Sequence, residues 1–115
     1  MSRPKSTLLR PALGVAFILT MLPAAARAQD SAEIRFENHQ FKPLSLSVPT
    51  GQPLTIKVVN ASNETIEFES FKLNREKAIS PGESIEVRLP ALSAGSYDFY
   101  DDFHQDVPEG SIVAK

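Results

Sequence analysis

Apolar and polar residues alternate with a period of two through most of the second half of the chain, and this restricts the fold more than any other feature. Ile34 and Phe36 alternate with Arg35 and Glu37, and Leu44, Leu46 and Val48 alternate with two serines. Leu54, Ile56 and Val58 follow, then Ile66 and Phe68 between Glu67 and Glu69, then Ile85, Val87 and Leu89 around Glu86 and Arg88. Tyr97 and Phe99 alternate with Asp98 and Tyr100, and Ile112-Val113 makes the last run. Successive side chains of a strand point to opposite faces, so such runs build strands with one face buried. Turn residues divide them at Pro49/Gly51, Asn60 to Asn63, Pro81-Gly82, Pro90 to Gly95 and Pro108 to Gly110. Short strands at this spacing predict an all-β fold, an antiparallel Greek-key sandwich of six to eight strands. Phe71 to Ala78 breaks the alternation and is expected to form one helical turn or a loop.

The beginning of the chain follows a different rule. Arg3, Lys5 and Arg10 precede an apolar run, Leu13 to Leu22, that is short for a spanning helix. Pro23 ends it, and Ala26-Arg27-Ala28 has the small-x-small pattern of a cleavage site. Residues 1–28 are therefore expected to be a cleaved signal peptide, and 29–115 a single exported domain, periplasmic in a bacterium. Cleavage there would remove four of the 12 basic residues (Arg3, Lys5, Arg10 and Arg27) and none of the 14 acids, leaving a formal charge of −6. So acidic a domain lacks the basic stripe that nucleic acid requires and favours cations instead. The chain has no cysteine, and its two methionines, Met1 and Met21, lie in the expected signal. A mature domain without sulfur can have neither a disulfide nor a thiolate ligand.

Two segments carry a resemblance. Phe41-Lys-Pro-Leu-Ser-Leu-Ser-Val-Pro-Thr-Gly with Leu-Thr-Ile-Lys-Val-Val-Asn is similar to the opening strands of cupredoxins. Gly95-Ser-Tyr-Asp-Phe-Tyr-Asp101-Asp-Phe-His104 is similar to their closing segment, G-x-Y-x-[FY]-x-C-x-x-H. The resemblance runs from about Ile34 to Val113 and implies a cupredoxin-like sandwich. A blue-copper site takes a cysteine thiolate, two histidines and a weak axial methionine. Along this resemblance Asp101 stands at the cysteine position and His104 at the second histidine. The first histidine falls near Glu67 to Glu69, and the methionine at Val107 or Glu109. Type 1 copper is thereby excluded on composition alone.

Acids at the vacated positions point to a harder ion. Oxygen donors with imidazole suit iron or manganese and also hold Cu(II). The candidate ligands are Glu67, Glu69, Asp101, Asp102 and His104, with His39 between the first two strands as a further imidazole. Asp106 and Glu109 read as surface charge, and Arg75 and Lys77 as solvated. Glu-Phe-Glu-Ser and the acid-Phe-His segment resemble the cupredoxin-like proteins of bacterial periplasmic iron-uptake systems. That resemblance implies an iron or copper carrier working beside a membrane iron permease. Two alternatives remain open: a copper-dependent component of ferrous oxidation, and an interaction module on a scaffold that has lost its metal site. Hydrolytic and group-transfer chemistry finds no G-x-S-x-G, phosphate loop or H-E-x-x-H. The sequons at Asn60 and Asn63 are too short a pattern to carry a function.

Overall fold

The computed structural model describes residues 2–5, 11–16, 18 and 32–115; the expected cleavage site at Ala26–Ala28 lies outside them. Among the described residues nine strands form: β1 (Ala32–Glu37), β2 (Gln40–Lys42), β3 (Ser45–Val48), β4 (Leu54–Asn60), β5 (Ile66–Ser70), β6 (Arg75–Ile79), β7 (Ser84–Leu89), β8 (Gly95–Asp101) and β9 (Gly110–Ala114). They pack as a sandwich of a four-stranded sheet, β2-β1-β4-β7, on a five-stranded one, β3-β9-β8-β5-β6. Both sheets are mixed, because β1 pairs with β4 and β3 with β9 in parallel. Among the described residues no helix is long and apolar enough to cross a membrane.

The alternation becomes burial as expected. Ile34, Phe36, Ile56, Val58, Ile66, Phe68, Phe99 and Ile112 are inside, with Arg35, Lys57 and Asp98 on the outer faces. Phe41 joins the two sheets, with its ring edge-on to Phe36 and to Phe99 at centroid distances of 5.1 Å each. Phe99 also packs on Phe68 at 5.3 Å. Such edge-on and tilted aromatic contacts add to the stabilisation from burial itself. Gly110 lies beneath Phe99, where a Cβ would run into the ring.

The segment expected to be a helical turn or loop, Phe71 to Ala78, is a turn followed by strand β6. Ser70 Oγ donates to the Asp98 carbonyl at 2.7 Å and accepts from Leu73 N at 3.3 Å, and Asn74 takes a positive φ of 52°. Those contacts reverse the chain so that β6 pairs with β5. Arg75, read as solvated, spans the edge between the sheets. Its Nη2 and Nε donate to the Arg88 carbonyl of β7 at 2.9 and 3.3 Å, and Nη1 donates to the Leu73 and Asn74 carbonyls. Carbonyls at an otherwise open sheet edge are the reason, since unpaired backbone groups there recruit a donor.

Candidate metal site

The sequence-predicted ligands fall into two groups, separated by the thickness of strand β8 and joined through one residue, Asp101. The first group lies on the outer face of the five-stranded sheet. Ile66, Phe68 and Ser70 of β5 point into the core, so Glu67 and Glu69 point out. Antiparallel register then sets Glu76 of β6 and Tyr100 of β8 directly beside Glu69, and Ala78 beside Glu67. Asp102, just past β8, donates its backbone N–H to the Glu67 carbonyl at 3.1 Å and completes the row.

Glu67, Glu69 and Glu76 each bring a carboxylate oxygen to within 4.8 Å of the others, a grouping suited to a cation. Glu67 is only 8% exposed, and its Oε1 is buried with no hydrogen-bond partner. Its neighbours are acceptors like itself, and a carboxyl pair can hydrogen-bond only when one member is protonated. The Glu67 carboxyl is accordingly pushed up to about 7, first by its hydrogen bond with Glu76, then by burial and by repulsion from Glu76, Asp102 and Glu69. The Tyr100 phenol is raised as well, chiefly by hydrogen bonding to the Glu69 carboxylate. None of the ion pairs among the described residues reaches Glu67, Glu69, Glu76 or Asp102.

The second group closes one end of the sandwich. Asp101 is 1% exposed, and its Oδ1 accepts the N–H groups of Glu67 at 2.9 Å and Phe103 at 3.0 Å. Its Oδ2 lies 2.6 Å from His104 Nδ1. With the Nδ1 proton donated to Asp101, His104 turns Nε2 towards Glu64, 3.3 Å away. Glu64 is held there by a loop wound around Asn60, whose Nδ2 donates to the Glu64 and Ile79 carbonyls and whose Oδ1 accepts from Ser62. This buried role also removes the Asn60 side chain from any sequon chemistry.

His39 occupies the tight turn between β1 and β2. Asn38 and His39 both have positive φ, 53° and 59°, as the two central residues of a primed hairpin turn do. The His39 ring stands edge-on to His104 at 5.6 Å, and Phe36 stacks on His104 at 6.5 Å. Asp106, read as surface charge, lies with Oδ2 2.7 Å from His39 Nε2. That hydrogen bond raises the His39 pKa and lowers that of Asp106. An open pocket of about 430 Å³ runs between the β1–β2 turn and the 61–64 loop, with His39 and Glu64 on its walls.

The structure thus brings Glu67, Glu69 and Asp102 together on one face and His39, Asp101 and His104 together at the end. It does not combine all six around one point. Three residues absent from the predicted set take part: Glu76, Glu64 and Asp106. Glu76 would have been legible had residues 75–79 been read as a strand. Glu64 carries no local signal, since a loop of five residues precedes β5.

A model of the family described as "Cupredoxin-like domain" matches residues 10–114. An uncharacterised protein of Rickettsia prowazekii (strain Madrid E) is 38% identical over 81 residues, covering 70% of this chain; the chain spans 65% of that relative's length, just under two thirds. Similar solved structures include a purple cupredoxin from Nitrosopumilus maritimus, with a TM-score of 0.58, 20% identity and coverage of 74% of this chain and 100% of that one. The metal-binding domain of a Cu(I)-exporting P-type ATPase from Streptococcus pneumoniae, solved with Cu(I), gives a TM-score of 0.65 at 17% identity, covering 74% and 84%. Auracyanin from Roseiflexus castenholzii gives 0.61 at 16%, covering 74% and 96%. At these identities the likeness is one of fold. A type 1 copper centre does not fit this chain: it has no cysteine, and Asp101 spends both oxygens on Glu67, Phe103 and His104.

Proposed function

Because the chain belongs to the cupredoxin-like domain family, we propose that it binds a hard cation through carboxylates, with iron as its cargo, and is not a blue-copper electron carrier. One observation carries the reading: Glu67 Oε1 is buried without a partner beside three further acids, Glu69, Glu76 and Asp102, and none of the ion pairs among the described residues reaches any of the four. A buried acceptor without a donor is unfavourable, and like charges directly opposite on paired strands are too. A cation relieves both, and oxygen donors select iron or manganese over softer ions.

Glu67 supplies the buried anchor, while Glu69 and the exposed Glu76 keep the ion open to solvent. A bound cation would relieve the same crowding of carboxylates that raises the Glu67 pKa. That openness suits handover to another protein better than storage. As part of the same proposal, the basic and apolar leader in the sequence supports export to the periplasm, where the domain would work beside a membrane iron permease.

A second reading is supported by the geometry of His104. Asp101 holds Nδ1 and leaves Nε2 facing the Glu64 carboxylate, an arrangement in which a second carboxylate orients an imidazole ligand. Cu(II) suits such nitrogen and oxygen donors, and copper there would give the domain a part in ferrous oxidation.

The test is titration of the purified protein with Mn²⁺, anaerobic Fe²⁺, ferric citrate and Cu²⁺. Glu67→Gln and Glu76→Gln are expected to lose the hard ions, and His104→Ala to keep them. Failure of every ion to bind at micromolar protein would sink the metal reading and leave an interaction module. Hard-ion binding that vanishes with His104→Ala and survives Glu67→Gln would move the site to the sandwich end.

A further inference from the structure

The outer face holds one more hard donor beside the carboxylates. Tyr100 of β8 is the direct cross-strand partner of Glu69, which is in turn the direct partner of Glu76. Side chains opposite one another on paired strands start about 4.5–5.5 Å apart at Cβ. All three project from the same side of the sheet, because the neighbours of Tyr100 in β8, Phe99 and Asp101, are buried in the core. Glu67 stands between Ala78 of β6 and Asp102, just past the end of β8. The phenol therefore borders the carboxylates from the strand beside Glu69.

We infer that Tyr100 is a ligand for a trivalent cation, its phenolate oxygen joining Glu67, Glu69 and Glu76, so that the site takes iron in the ferric state. This rests on the carboxylate reading above. On binding, the phenol O–H bond breaks, its proton passes to solvent, and the oxygen pair is donated to the ion; no electron is transferred. A divalent ion is satisfied by the carboxylates and leaves the phenol protonated. The extra anionic oxygen matters for a harder, more highly charged ion.

The chain has only two tyrosines, which makes the inference sharply testable. Tyr97 is the other, and its hydroxyl is committed to the Ser93 carbonyl at 2.8 Å. The full chain is loaded from ferric citrate, desalted and analysed for iron, with its visible spectrum recorded. A phenolate-to-iron charge-transfer band is expected in the wild type and in Tyr97→Phe. Tyr100→Phe is expected to lose the band and hold ferric ion more weakly, with Mn²⁺ affinity unchanged. Iron-loaded wild type without colour, or colour that survives Tyr100→Phe, overturns the inference. So does loss of Mn²⁺ binding in Tyr100→Phe, which would make the tyrosine a prop for the cluster. Wild type that holds Mn²⁺ but no ferric ion overturns the inference and leaves the carboxylate reading standing. Wild type that holds neither overturns both.

Discussion

Glu67 is the residue on which stability and binding pull against each other. Its folded-state pKa, about 7, lies above the ordinary 4.5, so between those values the folded protein keeps a proton that the unfolded chain releases. The contribution to stability is therefore complete below about pH 4.5 and is lost as pH rises through about 7. Glu67→Gln removes that titration. The metal-free variant is expected to melt higher than wild type at about pH 8 and no higher at about pH 5, as thermal unfolding at the two pH values would show. An equal or lower melting temperature at the higher pH would contradict the strained-carboxylate account. Asp101 bears on stability through its hydrogen bonds. Its buried carboxylate accepts two backbone N–H groups and faces His104. Asp101→Ala strands the buried Glu67 N–H, worth about 1–3 kcal/mol, and denaturant unfolding should register a loss of at least that size.

At the scale of elements, the site is a product of strand register. Glu69 and Glu76 lie seven positions apart in sequence and become direct neighbours only because the turn after Ser70 returns β6 along β5. Their mutual repulsion is a local defect, worth about 0.2–1 kcal/mol in a cross-strand pair. Glu76→Gln should therefore stabilise the metal-free protein by roughly that amount while weakening Mn²⁺ binding, as paired melting and titration experiments would show. The same register explains what was legible in the sequence. Period-two alternation fixed which way Glu67, Glu69 and Asp101 point, since parity alone decides that. It was silent on β6, where Arg75-Glu76-Lys77 offers no alternation and only Ile79 is buried. A strand at the sheet edge needs no apolar face of its own, so periodicity misses it. His39 and Asp106 show a further limit. They lie 67 residues apart, and only the closed sandwich brings the β1–β2 turn to the loop after β8. Asp101 was expected to be a ligand; the structure turns it inward, where its oxygens meet two backbone N–H groups and His104, donors that a buried carboxylate needs whether or not a metal is present.

For the molecule as a whole, the proposed cation site lies at the edge of the five-stranded sheet. Strand β6 is the edge of its sheet, held on one side by β5 and tied to β7 through the Arg75 guanidinium. The core lies elsewhere, around Phe36, Phe41, Phe68 and Phe99. An ion joining Glu67 and Glu69 of β5 to Glu76 of β6 would cross-link that edge without touching the core. Ligand that binds only the folded state adds RT ln(1 + [L]/Kd), about 2.7 kcal/mol at a hundredfold excess over Kd. Saturating Mn²⁺ should thus raise the melting temperature, and the rise should vanish in Glu67→Gln. The location of the protection is the more discriminating result. Local opening of an edge strand requires far less free energy than global unfolding. Hydrogen exchange is therefore expected to slow first at the β6 amides facing β5, with little change in β1 and β4 across the sandwich. Uniform slowing through both sheets would place the ion's grip on the global fold instead. Slowing confined to the β1–β2 turn and the loop after β8 would identify His39, His104 and Glu64 as the true binding end.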